Sequence, residues 1–178
     1  ARSVLSVLDA ERYEVIQIGI TLDGEWLTGP NALDAFQNSN FESLNRVIPP
    51  TQPTDHSLYV TRSTKMGEKL ETLARVDVFF PVLHGTFGED GTMQGLLELA
   101  DVAYVGAGVT GSSVGMDKGV FKDVMRANGI PIVESMLVLR SEVENNIKVV
   151  IEKAERLLGG YPIFAKPANL GSSVGISK

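Results

Sequence analysis

The chain has 178 residues, 43% of them hydrophobic and 21% charged, with no cysteine and a net charge of −6 at pH 7. That apolar content supports a real core, the absence of thiols excludes disulfides and cysteine zinc sites, and an acidic chain lacks the clustered Lys and Arg that neutralise a nucleic-acid backbone. No long apolar run follows the basic start Ala1-Arg2-Ser3, and the longest apolar stretch, Val78 to Leu83, is too short to span a bilayer, so the chain reads as a soluble cytoplasmic protein with no membrane partner.

Apolar residues at Val4, Leu5 and Leu8 give Ala1 to Glu11 a helical spacing, and no strand or glycine-rich turn precedes it, so the start reads as truncated. Tyr13 to Ile20 alternates like a strand, and Asp23-Gly24 before Glu25-Trp26-Leu27 predicts a hairpin. Asn45 to Ser57, with Pro49, Pro50 and Pro53, reads as a loop, and Thr64 to Arg75 as a helix. Val76 to Phe80 is the best buried strand in the chain. A glycine-rich loop, His84 to Gly91, leaves it and enters a helix with Met93, Leu96, Leu97 and Ala100 on one face, and Val102 to Val105 is a short strand.

Asp117 is placed to cap a helix running to Asn128, with Val120, Phe121, Val124 and Met125 inward; Gly129 suits its C′ position and Pro131 blocks continuation. Glu134 to Leu139 reads as a strand. Ser141-Glu142-Val143-Glu144 is a capping-box pattern opening a helix that Gly159-Gly160 ends. Tyr161 to Lys166 reads as a strand, followed by a Gly/Ser turn and, from Val174, a hairpin partner. The fold expected is α/β: strand–helix alternation predicts a parallel sheet in residues 1–114, and residues 115–178 open an α+β domain. Gly111-Ser112-Ser113-Val114-Gly115 recurs at Gly171 to Gly175, but the flanks differ in character and no structural repeat is expected.

Two segments carry candidate chemistry. His84 to Gly91 leaves the C-terminal end of a buried strand and enters a helix N-terminus, a place that favours carboxylate or phosphate. There His84 could move a proton and Glu89 could take an ammonium group, or Asp90 or Thr92 merely caps the helix while His84 packs against it. Phe164 to Gly175 sets Lys166 on a strand before a glycine/serine loop, which is a phosphate clamp in outline or a plain flexible hairpin. Lys118 at a helix start is a surface charge unless it acts with Lys166. Both Gly-Ser-Ser-Val-Gly copies match the nucleophile-elbow pattern of serine hydrolases. The only histidines, His56 and His84, precede those serines, however, and strand rather than helix follows Ser173, so the hydrolase reading fails. No Walker-type phosphate loop occurs.

These segments together resemble one family. His84-Gly85 with Gly88-Glu89-Asp90-Gly91-Thr92 and Gln94-Gly95 is similar to the N-domain signature of the D-alanine–D-alanine ligases, which are ATP-grasp enzymes. Tyr104-Val105-Gly106 with Met116-Asp117-Lys118 resembles their crossing into the ATP-grasp domain. Phe164-Ala165-Lys166-Pro167 with Gly171-Ser172-Ser173-Val174-Gly175 resembles their phosphate loop. The resemblance implies a pre-ATP-grasp domain over 1–114 and the first part of the ATP-grasp domain over 115–178, both incomplete. It implies activation of one D-alanine by ATP as an acyl phosphate, attack by the amine of a second D-alanine, and a role in peptidoglycan synthesis. Carried over by position, Lys118 and Lys166 hold ATP phosphates, Phe164 lies beside the adenine, and the backbone of Gly171, Ser172 and Ser173 covers the phosphates. Ser172 helps orient the first D-alanine, and His84 and Glu89 line the substrate side. The family's opening strand and its glutamate would precede this chain. Its magnesium ligands, catalytic arginine and adenine hinge would lie beyond the position of Lys178, so no metal ligand is assigned here and these residues alone are expected to ligate nothing. A homodimer is the expected assembly. The rival readings are a D-alanine–D-lactate ligase and a non-catalytic dimerising or nucleotide-binding fragment.

Overall fold

The structure is a computed structural model and describes residues 1–171 and 175–177. Its contacts gather into two compact units, one of residues 1–82 and 96–105, the other of residues 83–95 and 106–178.

The first unit is built on hairpins. Its strands are β1 (Ile18–Ile20), β2 (Trp26–Thr28), β3 (Asn45–Ile48), β4 (Ser57–Thr64) and β5 (Gly67–Arg75), hydrogen-bonded in that order and antiparallel throughout. Two short helices, α1 (Arg2–Leu5) and α2 (Ala32–Gln37), accompany them. The turn at Asp23-Gly24 joins β1 to β2 as expected, with Gly24 at φ 85°. In β4 the side chains of Leu58 and Val60 alternate inward and join Ala32, Val47, Leu97, Ala100 and Val102 as the buried aliphatic core. Gly19 on β1 is required by that packing, because a Cβ there would collide with the Phe36 ring. The buried Thr28 hydroxyl donates to Gln17 O at 2.8 Å, so its polar atom is satisfied.

Four expectations change here. Thr64 to Arg75 is not helical; it is the hairpin turn and β5. Leu70 and Leu73 have helical spacing, but Ser57–Thr64 is rich in β-branched and aromatic residues and pairs with every residue of β5 except Leu73, which the register shift at Leu58/Tyr59 skips. Thr64 pairs with Gly67 across Lys65-Met66, the Thr64 hydroxyl donates to Gly67 O at 2.7 Å, and Gly67 takes φ 118°. Part of the Asn45–Ser57 loop is strand β3, and Tyr13 to Ile20 is strand only from Ile18. Among the described residues parallel pairing is confined to a single bridge. Phe79 N–H donates to Ala103 O and Val105 N–H to Phe79 O, both at 2.8 Å, which makes Phe79 and Tyr104 parallel neighbours. The intervening α3 (Thr92–Leu99) is the crossover such a pairing needs.

The second unit is helical. It holds α4 (Val109–Met116), α5 (Lys118–Ala127) and α6 (Arg140–Leu158). Asp117 Oδ1 accepts from the N–H groups of Gly119 at 2.9 Å and Val120 at 3.0 Å, and Gly129 takes φ 70° past the end of α5, as the sequence predicts. The start of α6 is displaced from the expected box at Ser141: the helix begins at Arg140, and the Glu142 carboxylate accepts from Leu139 N–H at 2.7 Å. Asn146 breaks α6 at φ −161°, and its side-chain oxygen accepts from Val149 N–H at 3.4 Å, so it caps the second segment. Gly159 ends the helix at φ 79°. Among the described residues Glu134 to Leu139 has no ladder partner and is not a strand. Tyr161 to Lys166 contributes only the antiparallel pairing of Ala165 with Ser177. No side chain of α4, α5 or α6 is buried. Among the described residues no helix is long and apolar enough to cross a membrane.

Candidate functional site

The glycine loop and the Gly/Ser turn both belong to the second unit. In the loop, Asp90 is the organiser. Its Oδ2 accepts from Phe87 N–H at 2.8 Å and its Oδ1 from Thr92 N–H at 3.0 Å, which closes the turn and caps α3. The Phe87 N–H holds the Asp90 carboxyl below the usual carboxylate range; partial burial pushes back, and the Thr92 N–H and hydroxyl add to the lowering. Phe87 itself sits at φ 68°, a left-handed conformation that these bonds hold in place. Gly91 takes φ 95°, and a Cβ there would press on Ser113 Oγ and the Val109 carbonyl. That close approach lets the Ser113 hydroxyl donate to Asp90 O at 2.8 Å, fastening α4 to the loop. Gln94 is buried with Nε2 donating to Gly88 O at 3.2 Å, and its Oε1 has no partner among the described residues.

Glu89 faces back over the loop. Its Oε2 accepts from Gly85 N–H at 2.5 Å, and its Oε1 lies 3.9 Å from His84 Nδ1. That is a charge contact rather than a hydrogen bond, and His84 is 81% exposed, so the pair does little for stability. Asp90 therefore caps the helix, one of the two readings of this loop, but His84 is too exposed to pack against it.

In the turn, Lys118 is the organiser. Its backbone N–H donates to Ala168 O at 3.1 Å. Its ammonium donates to Pro167 O at 3.1 Å, to Ala168 O at 3.3 Å and to Leu170 O. Ala165 and Ser177 exchange two backbone hydrogen bonds, of 2.9 and 3.0 Å, which close the hairpin around the turn. Phe164 and Lys166 on the entering segment are exposed. A Cβ on Gly171 would stand 4.0 Å from Glu89 Oε2, so the turn and the loop meet at these two residues. Of the sequence-derived candidates, the structure thus brings together His84, Glu89 and Gly171, and joins Lys118 to the turn that follows Lys166. Ser172 and Ser173 lie outside the described residues. The fastening by Lys118 and the capping by Asp117 share one helix start, and only the cap had a local signal.

Magnesium has no evident holder in this set. Glu89, Asp90 and Asp117 each already accept from backbone N–H groups, and among the described residues no three His, Asp or Glu side chains cluster as a metal site.

A sheet unit, a helical unit, a carboxylate-organised glycine loop and a lysine-fastened turn define a two-part α/β protein. A family model described as D-ala D-ala ligase N-terminus matches residues 1–107, and one described as D-ala D-ala ligase C-terminus matches residues 124–178. The chain belongs to the D-alanine–D-alanine ligase family. A D-alanine--D-alanine ligase of Natranaerobius thermophilus is 44% identical over 181 residues, spanning 100% of this chain and 47% of that protein. One of Chloroherpeton thalassium is 44% identical over 183 residues, spanning 100% and 49%. The crystal structure of VanG D-Ala:D-Ser ligase from Enterococcus faecalis superposes with a TM-score of 0.76 at 30% identity, over 98% of this chain and 48% of that one. The chain spans about half the length of the curated relatives it matches.

Proposed function

We propose that these residues form the substrate-side and first nucleotide-side portion of an enzyme that joins two D-alanines at the expense of ATP, with residues 1–114 on the substrate side and 115–178 opening the nucleotide side. The observation that carries this reading is the meeting of Glu89 with Gly171, which sets the glycine loop against the turn that follows Lys166. In the proposed reaction the first D-alanine carboxylate takes the γ-phosphoryl group of ATP, the amine of the second attacks the acyl phosphate, and inorganic phosphate leaves. The chemistry needs cations on a crowded triphosphate and donors on a developing oxyanion. Lys118 and Lys166 supply the charge, and the backbone of Gly171, Ser172 and Ser173 supplies N–H donors. Phe164, exposed beside the turn, offers its ring to the adenine. Glu89 and His84 line the substrate side, with Ser172 orienting the first D-alanine. Magnesium, when bound, neutralises phosphate charge; its ligands are assigned to the remainder of such an enzyme. Peptidoglycan synthesis in the cytoplasm and a homodimeric assembly complete the proposal.

The test is a chimera in which residues 1–178 replace the matching portion of the Natranaerobius thermophilus relative. With ATP, magnesium and D-alanine it is expected to release ADP and D-alanyl-D-alanine. A folded chimera that binds nucleotide yet makes no dipeptide counts against the reading.

A further inference from the structure

The start of α5 has no donor to spare. Lys118 N–H is given to Ala168 O, and the next two N–H groups are given to Asp117 Oδ1. A lysine ammonium carries three N–H donors, and three carbonyls, those of Pro167, Ala168 and Leu170, take them all. A phosphate therefore finds neither a free helix N-terminus nor a free ammonium here, although Lys118 is the cation nearest this turn in the structure's hydrogen bonding.

We propose that Lys118 is a positioning residue that fastens the turn Pro167–Leu170 to the start of α5 while no nucleotide is bound, and that a nucleotide triphosphate binds by taking over donors from those carbonyls. This rests on the phosphate role proposed above for Lys118 and adds its regulation. Carbonyl oxygens are partial charges and phosphate oxygens bear nearly full ones, so the exchange runs toward phosphate once a triphosphate is present. It also releases the carbonyl end of the turn that leads into Gly171. Ligand binding and turn release are then one linked equilibrium, and the fastening lowers nucleotide affinity by its own strength.

The test uses the whole chain with Lys118→Met, which keeps the length and removes the charge, and Lys118→Arg, which keeps the charge. In the absence of nucleotide, the position-118 amide reports the hold on Ala168. In Lys118→Met it is expected to exchange about tenfold faster, the equivalent of one lost charge-assisted hydrogen bond. Amides of α6 should be unchanged, which shows that the second unit stays folded, and Lys118→Arg should restore much of the protection. In the parent chain the Lys118 ammonium signal, identified by its loss in Lys118→Met, should shift when a non-hydrolysable ATP analogue is added. Unchanged exchange at position 118 in Lys118→Met overturns the fastening. Analogue binding that leaves the ammonium signal in place overturns the exchange of partners and spares the nucleotide reading. No analogue binding at all, with exchange at position 118 still accelerated, overturns the nucleotide reading and the exchange together and upholds the fastening alone.

Discussion

The two units are held together by different forces. In the first, Leu58, Val60, Leu97 and their neighbours are buried in a common core beneath an antiparallel sheet. In the second, Phe121 on α5 is 40% and Ile147 on α6 49% exposed, and no side chain of either helix is buried. Order in the second unit comes instead from polar devices: Asp90 closing its loop, Asp117 capping α5, Lys118 gathering three carbonyls. Hydrophobic burial scales with area removed from water, whereas each hydrogen bond is worth little net but is costly to leave unmade. The first unit should therefore answer to changes of volume and the second to changes of single donors and acceptors.

The largest expected contrast is between two truncations. Leu58→Ala empties a buried site and should cost about 3 kcal/mol, while Ile147→Ala trims an exposed one and should cost less than about 1 kcal/mol. Denaturant titration followed at amides of β4 and of α6 measures both, and equal costs would erase the distinction between the units. Asp117→Ala removes the cap of α5 and should cost about 1 kcal/mol. The effect should be local, appearing as faster exchange at the Gly119 and Val120 amides with β4 unaffected. The smallest effect is a pH dependence. The folded Asp90 carboxyl is depressed, so its stabilisation is fully present above the ordinary carboxylate range and is lost as pH falls through its lower folded value. Exchange at the Phe87 and Thr92 amides, corrected for intrinsic rate, should rise only on acidification below that range, and Asp90→Asn should flatten the response.

What the sequence made legible follows the same divide. The caps and stops of the helical unit are local chemistry: Asp117 before α5, Gly129 after it and Gly159 after α6 can each be read within a few residues. The sheet is not local. Leu70 and Leu73 carry a helix-like spacing, and only the ladder to Ser57–Thr64 turns them into strand. Parallel order was expected from alternating strands and helices, but β1 to β5 pair antiparallel, and among the described residues Phe79 and Tyr104 are the parallel pair. At the candidate site the segments were legible as motifs and Asp90 as a cap. The meeting of Glu89 with Gly171, and of Lys118 with Pro167 to Leu170, joins residues far apart in the chain and has no local signature.

The account turns on one claim, that the glycine loop and the lysine-fastened turn form a single nucleotide- and substrate-binding site. The most direct test is an amide-shift map of the whole chain titrated with a non-hydrolysable ATP analogue and then D-alanine. The account predicts nucleotide shifts at Lys118 and from Phe164 to Gly171, further shifts at Gly85 and Glu89 on adding D-alanine, and none along β4 and β5. Shifts concentrated on the β4–β5 hairpin, or nucleotide shifts with no response of the loop to D-alanine, would contradict it.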